Sequence, residues 1–159
     1  MSKVFYANYY TTGDLVGVTD AIAIVKPDVS KYIKAIPGVF YLINDPVFTG
    51  LKMHIYATRD KLATTLIASS TNSWSLATVK AQFIDSTLAY GRKQLYFEFN
   101  DPLMIASTNY GIVLTATTYT GTISSHLAWC SDTPDPIYAM STGYTNNIGQ
   151  RITLIGRDV

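Results

Sequence analysis

Few side chains in this sequence are of the types that carry out catalysis, and they are widely spaced. The two imidazoles belong to His54 and His126, and Glu98 is the single glutamate. Acyl transfer needs a nucleophile, a base and a group that orients the base. Glycoside hydrolysis needs two carboxylates that flank a sugar. Glu98 with one aspartate would meet that need. The simpler interpretation is that Glu98 is an exposed strand residue. We therefore expect that the protein is not an enzyme.

The histidines and the cysteine also fit no known chemical motif. His54 and His126 each lie opposite the apolar positions of a predicted strand, which indicates solvent-facing side chains. The sequence contains neither G-x-S-x-G nor H-E-x-x-H. Two histidines and the lone Cys130 at wide spacing make no zinc site.

One loop has the composition of a calcium site. Asp132 and Asp135 lie in the segment from Ser131 to Pro136, where prolines flank Asp135 on both sides. Calcium binds carboxylate and carbonyl oxygens in such loops. The same pattern is common in plain turns, where aspartate side chains bond their own backbone. We therefore expect no cofactor, with calcium at the two aspartates as the alternative.

Aromatic residues at strand ends and in loops are the candidates for ligand binding. Tyr138 and Tyr144 lie in such positions, and Trp74 is a similar case. Exposed aromatic rings favour sugar stacking or protein contacts. The simpler alternative is that these rings are ordinary half-buried residues.

The tyrosine-rich start of the chain is the candidate interface. Phe5, Tyr6, Tyr9 and Tyr10 cluster there, and an unshielded cluster of this kind marks an interaction site. The alternative is an inner strand with Phe5 in the core.

Composition favours association with other proteins and argues against nucleic acid. Only 14% of the 159 residues are charged, whereas about a quarter is usual. Interfaces are depleted in Lys, Glu and Asp and enriched in Tyr, Trp and Phe. We therefore expect a homo-oligomer, with a trimer as the first choice. The net charge of +1 and the scattered Lys and Arg residues provide no basic face for nucleic acid.

The sequence lacks targeting signals. The N-terminal residues include no apolar core of a signal peptide, and no apolar run approaches the roughly 18 residues of a membrane helix. We expect a protein made in a reducing cytoplasm and no membrane partner. The length suits one domain over residues 1–159.

The strongest structural signal runs from Lys93 to Cys130, where three segments alternate with period two. Leu95, Phe97 and Phe99 define the apolar face of the first segment, and Asn-Asp-Pro and Thr-Gly-Thr occupy the connections. These features predict a three-stranded antiparallel unit.

Other stretches extend this pattern to an all-β protein of eight or nine strands. Residues 31–43 predict a long strand with a bend or bulge at Pro37-Gly38, and residues 51–58 a half-buried strand with His54 outward. Residues 59–73 are interpreted mostly as a loop and residues 74–84 as a strand. Two packed antiparallel sheets bury so many one-sided strands, so we expect a β-sandwich. The jelly roll is the first choice and an immunoglobulin-like sandwich the second.

The C-terminal half contains a series of short motifs. They are L-Y-F-E-F at 95–99, Pro102-Leu103, N-Y-G-I-V-L at 109–114, L-A-W at 127–129, S-D-x-x-D-P-I-Y at 131–138 and R-I-T-L-I-G at 151–156. This series resembles the jelly-roll modules of tailed-phage surface proteins, which occur in head decoration proteins, head fibres and tail fibres. Related sandwiches serve as carbohydrate-binding modules. The resemblance implies a virion structural protein that contacts a major capsid protein or another virion protein, and that binds a glycan if the chain is a module of the carbohydrate-binding kind.

Overall fold

A computed structural model shows a mostly β protein built from antiparallel sheets. It describes residues 3–4, 21–59, 62–83, 92–120, 125–131, 138–139 and 153–159. One short helix, α1, spans Leu76–Phe83 within these ranges. The strands described are β1 Lys3–Val4, β2 Ala21–Val25, β3 Lys31–Ile43, β4 Val47–Thr49, β5 Lys52–Arg59, β6 Leu62–Ser69, β7 Arg92–Glu98, β8 Leu103–Met104, β9 Tyr110–Thr115, β10 Thr118–Thr120, β11 His126–Ser131, β12 Tyr138–Ala139 and β13 Ile155–Asp158.

Strand β3 organises the six-stranded sheet because its length allows it to pair with four strands. β7 and β8 lie along one edge of β3, while β11 and β13 lie along the other. β1 extends the sheet beyond β11. The five-stranded sheet has the order β12-β2-β9-β5-β6, and β4 and β10 form a separate pair.

The core lies where apolar faces of the two large sheets meet. Phe40 of β3 and Phe97 of β7 pack with ring centroids 6.1 Å apart, and Met53 and Ile112 contribute from the five-stranded sheet. Gly38 provides room for this contact, since a Cβ atom there would lie 2.6 Å from the Phe40 ring. The helix adds Val79, which is fully buried.

The predicted three-stranded unit is wrong, although the apolar face predicted for its first segment is confirmed. Leu95, Phe97 and Phe99 are buried. However, β7 and β11 flank β3 on opposite edges, and β9 pairs with β2 and β5 in the other sheet. Period-two alternation reports which face of a strand is apolar, but it does not report which strand is its neighbour.

Of the bend or bulge predicted at Pro37-Gly38, the bulge is wrong, because β3 stays in register with β7 there, whereas a bend stays a prediction. The irregularity lies at Lys34, opposite the shift between Ile155 and Gly156 of β13. An extra residue reverses the alternation of faces. This reversal is why Ile33 and Ile36, which are three positions apart, are both fully buried.

Pro37 lies in a part of β3 where the N–H group that proline lacks would face no paired strand among the described residues. The carbonyl of Tyr96, opposite Pro37, accepts hydrogen bonds from side chains outside β3 and therefore points away from it. Pro37 and Tyr96 therefore form a non-hydrogen-bonded pair, in which the Pro37 nitrogen faces the edge of β3 opposite to β7. That edge lies between the β13 pairing, which ends at Ala35, and the β11 pairing, which begins at Val39.

The strand predicted at residues 74–84 is wrong, because the chain forms α1 there. Ser75 and Thr78 cap this helix reciprocally: the Ser75 amide donates to Thr78 Oγ1 at 2.8 Å, and the Thr78 amide donates to Ser75 Oγ at 3.3 Å. The buried face contains Val79 and half-buried Leu76, while Ala77 and Ala81 are exposed.

The loop predicted over most of residues 59–73 is wrong as well. β6 pairs antiparallel with β5 from His54–Ser69 to Arg59–Leu62. The sequence of β6 shows no period-two alternation of apolar and polar residues, because four consecutive residues, 64–67, are exposed. An edge strand that is open on both faces leaves no period-two signal.

Candidate functional sites

The side chain of Asn72 holds the outer edge of β7. Its Nδ2 donates to the Tyr96 carbonyl at 2.9 Å, and its Oδ1 accepts from the Glu98 amide at 2.8 Å. The amide group therefore replaces one peptide of a neighbouring strand. The Thr71 amide continues the contact by donating to the Glu98 carbonyl at 2.7 Å. This contact covers a strand edge that would otherwise be open.

Trp74, a predicted ligand-binding residue, belongs to the same cluster. Its indole Nε1 donates to the Tyr96 carbonyl at 3.2 Å, and its backbone exchanges two hydrogen bonds with Leu51. The ring is half-buried and packs against the core. Its position therefore has a structural use, and binding of a ligand at Trp74 stays a prediction.

His54 lies between two hydroxyl groups in the middle of the five-stranded sheet. Its Nδ1 is 2.7 Å from Ser69 Oγ on β6, and its Nε2 is 2.6 Å from Thr115 Oγ1 on β9. A neutral imidazole donates from one nitrogen and accepts at the other, and each hydroxyl can do either. The prediction of a simple solvent-facing histidine is therefore wrong: the side chain is half-buried and links three strands.

The electrostatics of this cluster favour the neutral imidazole. Burial lowers the pKa of His54, and the positive charge of Lys52 on the same face of β5 lowers it further. Among the described residues both ring nitrogens contact hydroxyl groups of neighbouring strands, so the geometry matches a strand clamp. The spacing of His54, Ser69 and Thr115 in the sequence does not reveal this cluster, because the three residues lie on different strands that meet only in the folded sheet.

A shallow cleft of about 460 Å³ lies beside Glu98. Lys34, Thr71 and Asn100 contribute its polar lining. Lys34 also pairs with Asp101 at 3.1 Å, while the second carboxylate oxygen of Asp101 is buried without a hydrogen-bond partner. The structure thus brings Lys34 of β3 to the cleft beside Glu98 and pairs it with Asp101, a placement that the sequence did not reveal because Lys34 is more than 60 residues away from both carboxylates.

Most of the predicted site residues cannot be compared with these sites. Asp132 and Asp135 of the calcium prediction, Tyr144, and the predicted interface residues lie outside the described residues. These interface residues are Phe5, Tyr6, Tyr9 and Tyr10. The backbone of Tyr138 belongs to β12 and pairs with Ile22 of β2.

Two kinds of feature are absent from the described ranges. Within them, no three His, Cys, Asp or Glu side chains are grouped so that they could hold a metal ion. In the same part of the chain, no helix has the length and apolar character needed to cross a membrane.

Comparisons with known proteins add no relative. No protein-family model, no curated protein and no solved structure matches this chain.

Proposed function

We propose that the protein is a non-enzymatic structural component of a tailed-phage virion, either a capsid decoration or a fibre component, that acts through protein–protein contacts. The proposal takes its class from the resemblance of residues 93–156 to phage surface modules. We further propose that the antiparallel sheets form a jelly-roll sandwich, with the immunoglobulin-like sandwich as the alternative.

The observation that carries the proposal is the character of the surface. Several aliphatic side chains are about half exposed or more, although only 14% of the chain is charged. The largest exposures are Val159 71%, Val47 61%, Ile105 52%, Leu66 50% and Val29 48%. Such a surface suits repeated contacts between proteins.

Particles of the source phage provide the direct test. Purified protein is mixed with virions from which it has been stripped or deleted, and binding is followed by co-sedimentation. We expect saturable binding with a fixed number of copies per particle, and no binding of an unrelated β-rich domain of equal size. The proposal fails if the protein neither sediments with such particles nor occurs in purified virions by mass spectrometry.

The alternative function is a carbohydrate-binding or receptor-binding domain that uses exposed tyrosines, with calcium as a further component. One observation favours it. The Tyr96 side chain is 46% exposed on the outer side of β7, and its hydroxyl donates to Gln94 Oε1 at 3.3 Å. An exposed ring flanked by an amide is suited to stacking against a sugar.

A glycan array separates the two functions. If the alternative holds, Tyr96→Ala removes specific binding, whereas Tyr96→Phe retains most of it because the ring remains. Loss of binding in Tyr138→Ala or Tyr144→Ala would assign the sugar to the predicted residues instead. An array without any specific signal leaves the structural role as the supported function.

A further inference from the structure

Edge strand β6 exposes an apolar pair. The side chains of Leu66 and Ile67 are 50% and 41% exposed, and the neighbouring Thr64 and Thr65 are exposed as well. In the register with β5, Thr65 stands opposite Ala57 and Leu66 opposite Tyr56, so these two consecutive residues point to opposite faces. Both faces of β6 are therefore open at this point, and the extra residue Ile67 lies next to Leu66 opposite Tyr56.

The backbone of β6 is open on one side among the described strands, where it pairs with β5 alone. Two register shifts occur along this pairing, and they leave Ile67 and Thr64 as extra residues on β6. Bulges of this kind twist an edge and hinder the addition of another strand. A partner would therefore contact the side chains of β6 and would not extend the sheet along its whole length.

The charge pattern favours a second copy of this chain as the partner. Between Lys61 and Lys80 the sequence contains no charged residue, and β6 lies within this interval. Edge strands commonly carry lysines that prevent association. In a symmetric oligomer, residues near the axis meet their own counterparts, so any charge there would face a like charge. An uncharged apolar edge avoids that repulsion.

We propose that β6 is the centre of a contact between copies of this chain, in which Leu66 and Ile67 pack against the same residues of a second copy around a symmetry axis. The proposal deepens the proposed function, which rests on repeated copies. A stable interface buries about 800 Å² on each partner. β6 alone is too small for that, so the adjacent sheet face with half-buried Tyr56 would complete the surface.

Light scattering coupled to gel filtration tests the contact on the full chain. The wild type should be an oligomer, and Leu66→Lys combined with Ile67→Lys should yield a monomer, with the dissociation constant raised by more than about tenfold because like charges meet at the axis. Leu103→Lys is the matched control, since Leu103 is 39% exposed on β8, in the other large sheet. It should keep the wild-type oligomer.

Folding is checked by circular dichroism and melting temperature. If the lysine pair lowers the melting temperature, Leu66→Thr combined with Ile67→Thr replaces it, because threonine suits an exposed strand. A wild-type chain that stays monomeric at high concentration would overturn the proposal. So would an oligomer that survives both double variants at wild-type affinity.

The outcome is separable from that of the particle test. If the protein binds stripped virions but its oligomer persists in both β6 double variants, only the proposed β6 contact is overturned. If the oligomer dissociates in the β6 variants but the protein is absent from virions, only the proposed function is overturned.

Discussion

The contacts around the Tyr96 carbonyl allow a quantitative test of how the edge of β7 is held. Asn72→Ala removes the donor to this carbonyl and the acceptor for the Glu98 amide. A net hydrogen bond contributes about 0.5–1.5 kcal/mol, so two bonds amount to about 1–3 kcal/mol. Asn72 is half-buried and water can replace part of the loss. We therefore expect the lower half, about 1–2 kcal/mol.

Trp74→Phe removes the second donor to the same carbonyl while keeping an aromatic ring against the core. The bond is long, at 3.2 Å, so we expect a loss of about 0.5–1 kcal/mol. Each single variant leaves the Tyr96 carbonyl with one side-chain donor, whereas the double variant leaves it with neither. The double variant should therefore lose more than the sum of the singles, by about 0.5–1 kcal/mol.

Urea unfolding of the four proteins at 25 °C measures this cycle, and Asn100→Ala is the control. Asn100 is exposed just beyond β7, and its replacement should change the free energy of unfolding by less than about 0.5 kcal/mol. Additivity of the two variants within about 0.3 kcal/mol would refute a shared acceptor. A loss below about 0.5 kcal/mol for Asn72→Ala would refute the clamp itself.

Three further predictions follow from the sheets. The lowered pKa of His54 means that the unfolded state binds protons more readily, so this residue's contribution to stability is complete above about pH 6.5 and declines as the pH falls below that value. His54→Gln should therefore unfold in urea with a weaker dependence on pH between about 7 and 5 than the wild type; an equal dependence would contradict the assigned environment. Gly38→Ala should cost about 1–3 kcal/mol in the same assay, because the new methyl group meets the buried ring of Phe40, and an unchanged midpoint would show that the ring has room to move. Trp129 stands opposite Phe40 in the β11–β3 register, so Trp129→Ala should cost about 3–5 kcal/mol, and a melting temperature within a couple of degrees of wild type would place this side chain on the surface.

Local features of this protein follow from short stretches of sequence. The alternation in β5 correctly predicts Met53 and Ile55 as buried, because side chains two apart share a face. Both Asn-Asp-Pro stretches end strands as predicted, and each places one residue in the left-handed region: Asn44 with φ 53° and Asp101 with φ 52°. Asparagine and aspartate tolerate this conformation, so the turn is encoded locally.

Features that depend on a neighbour in space were decided by the tertiary structure. Alternation cannot choose a strand's partner, so β7, β9 and β11 are correct as strands and wrong as one unit. The all-β context and the flanking Ser and Thr residues favoured a strand over residues 74–84, but the Ser75–Thr78 cap and the burial of Val79 hold residues 76–83 as a helix. His54 was interpreted in isolation, whereas Ser69 and Thr115 reach it only after β6 and β9 pair on either side of β5. A sequence specifies the faces of its strands directly; the groups that meet across them depend on register, which is set by packing of the whole core.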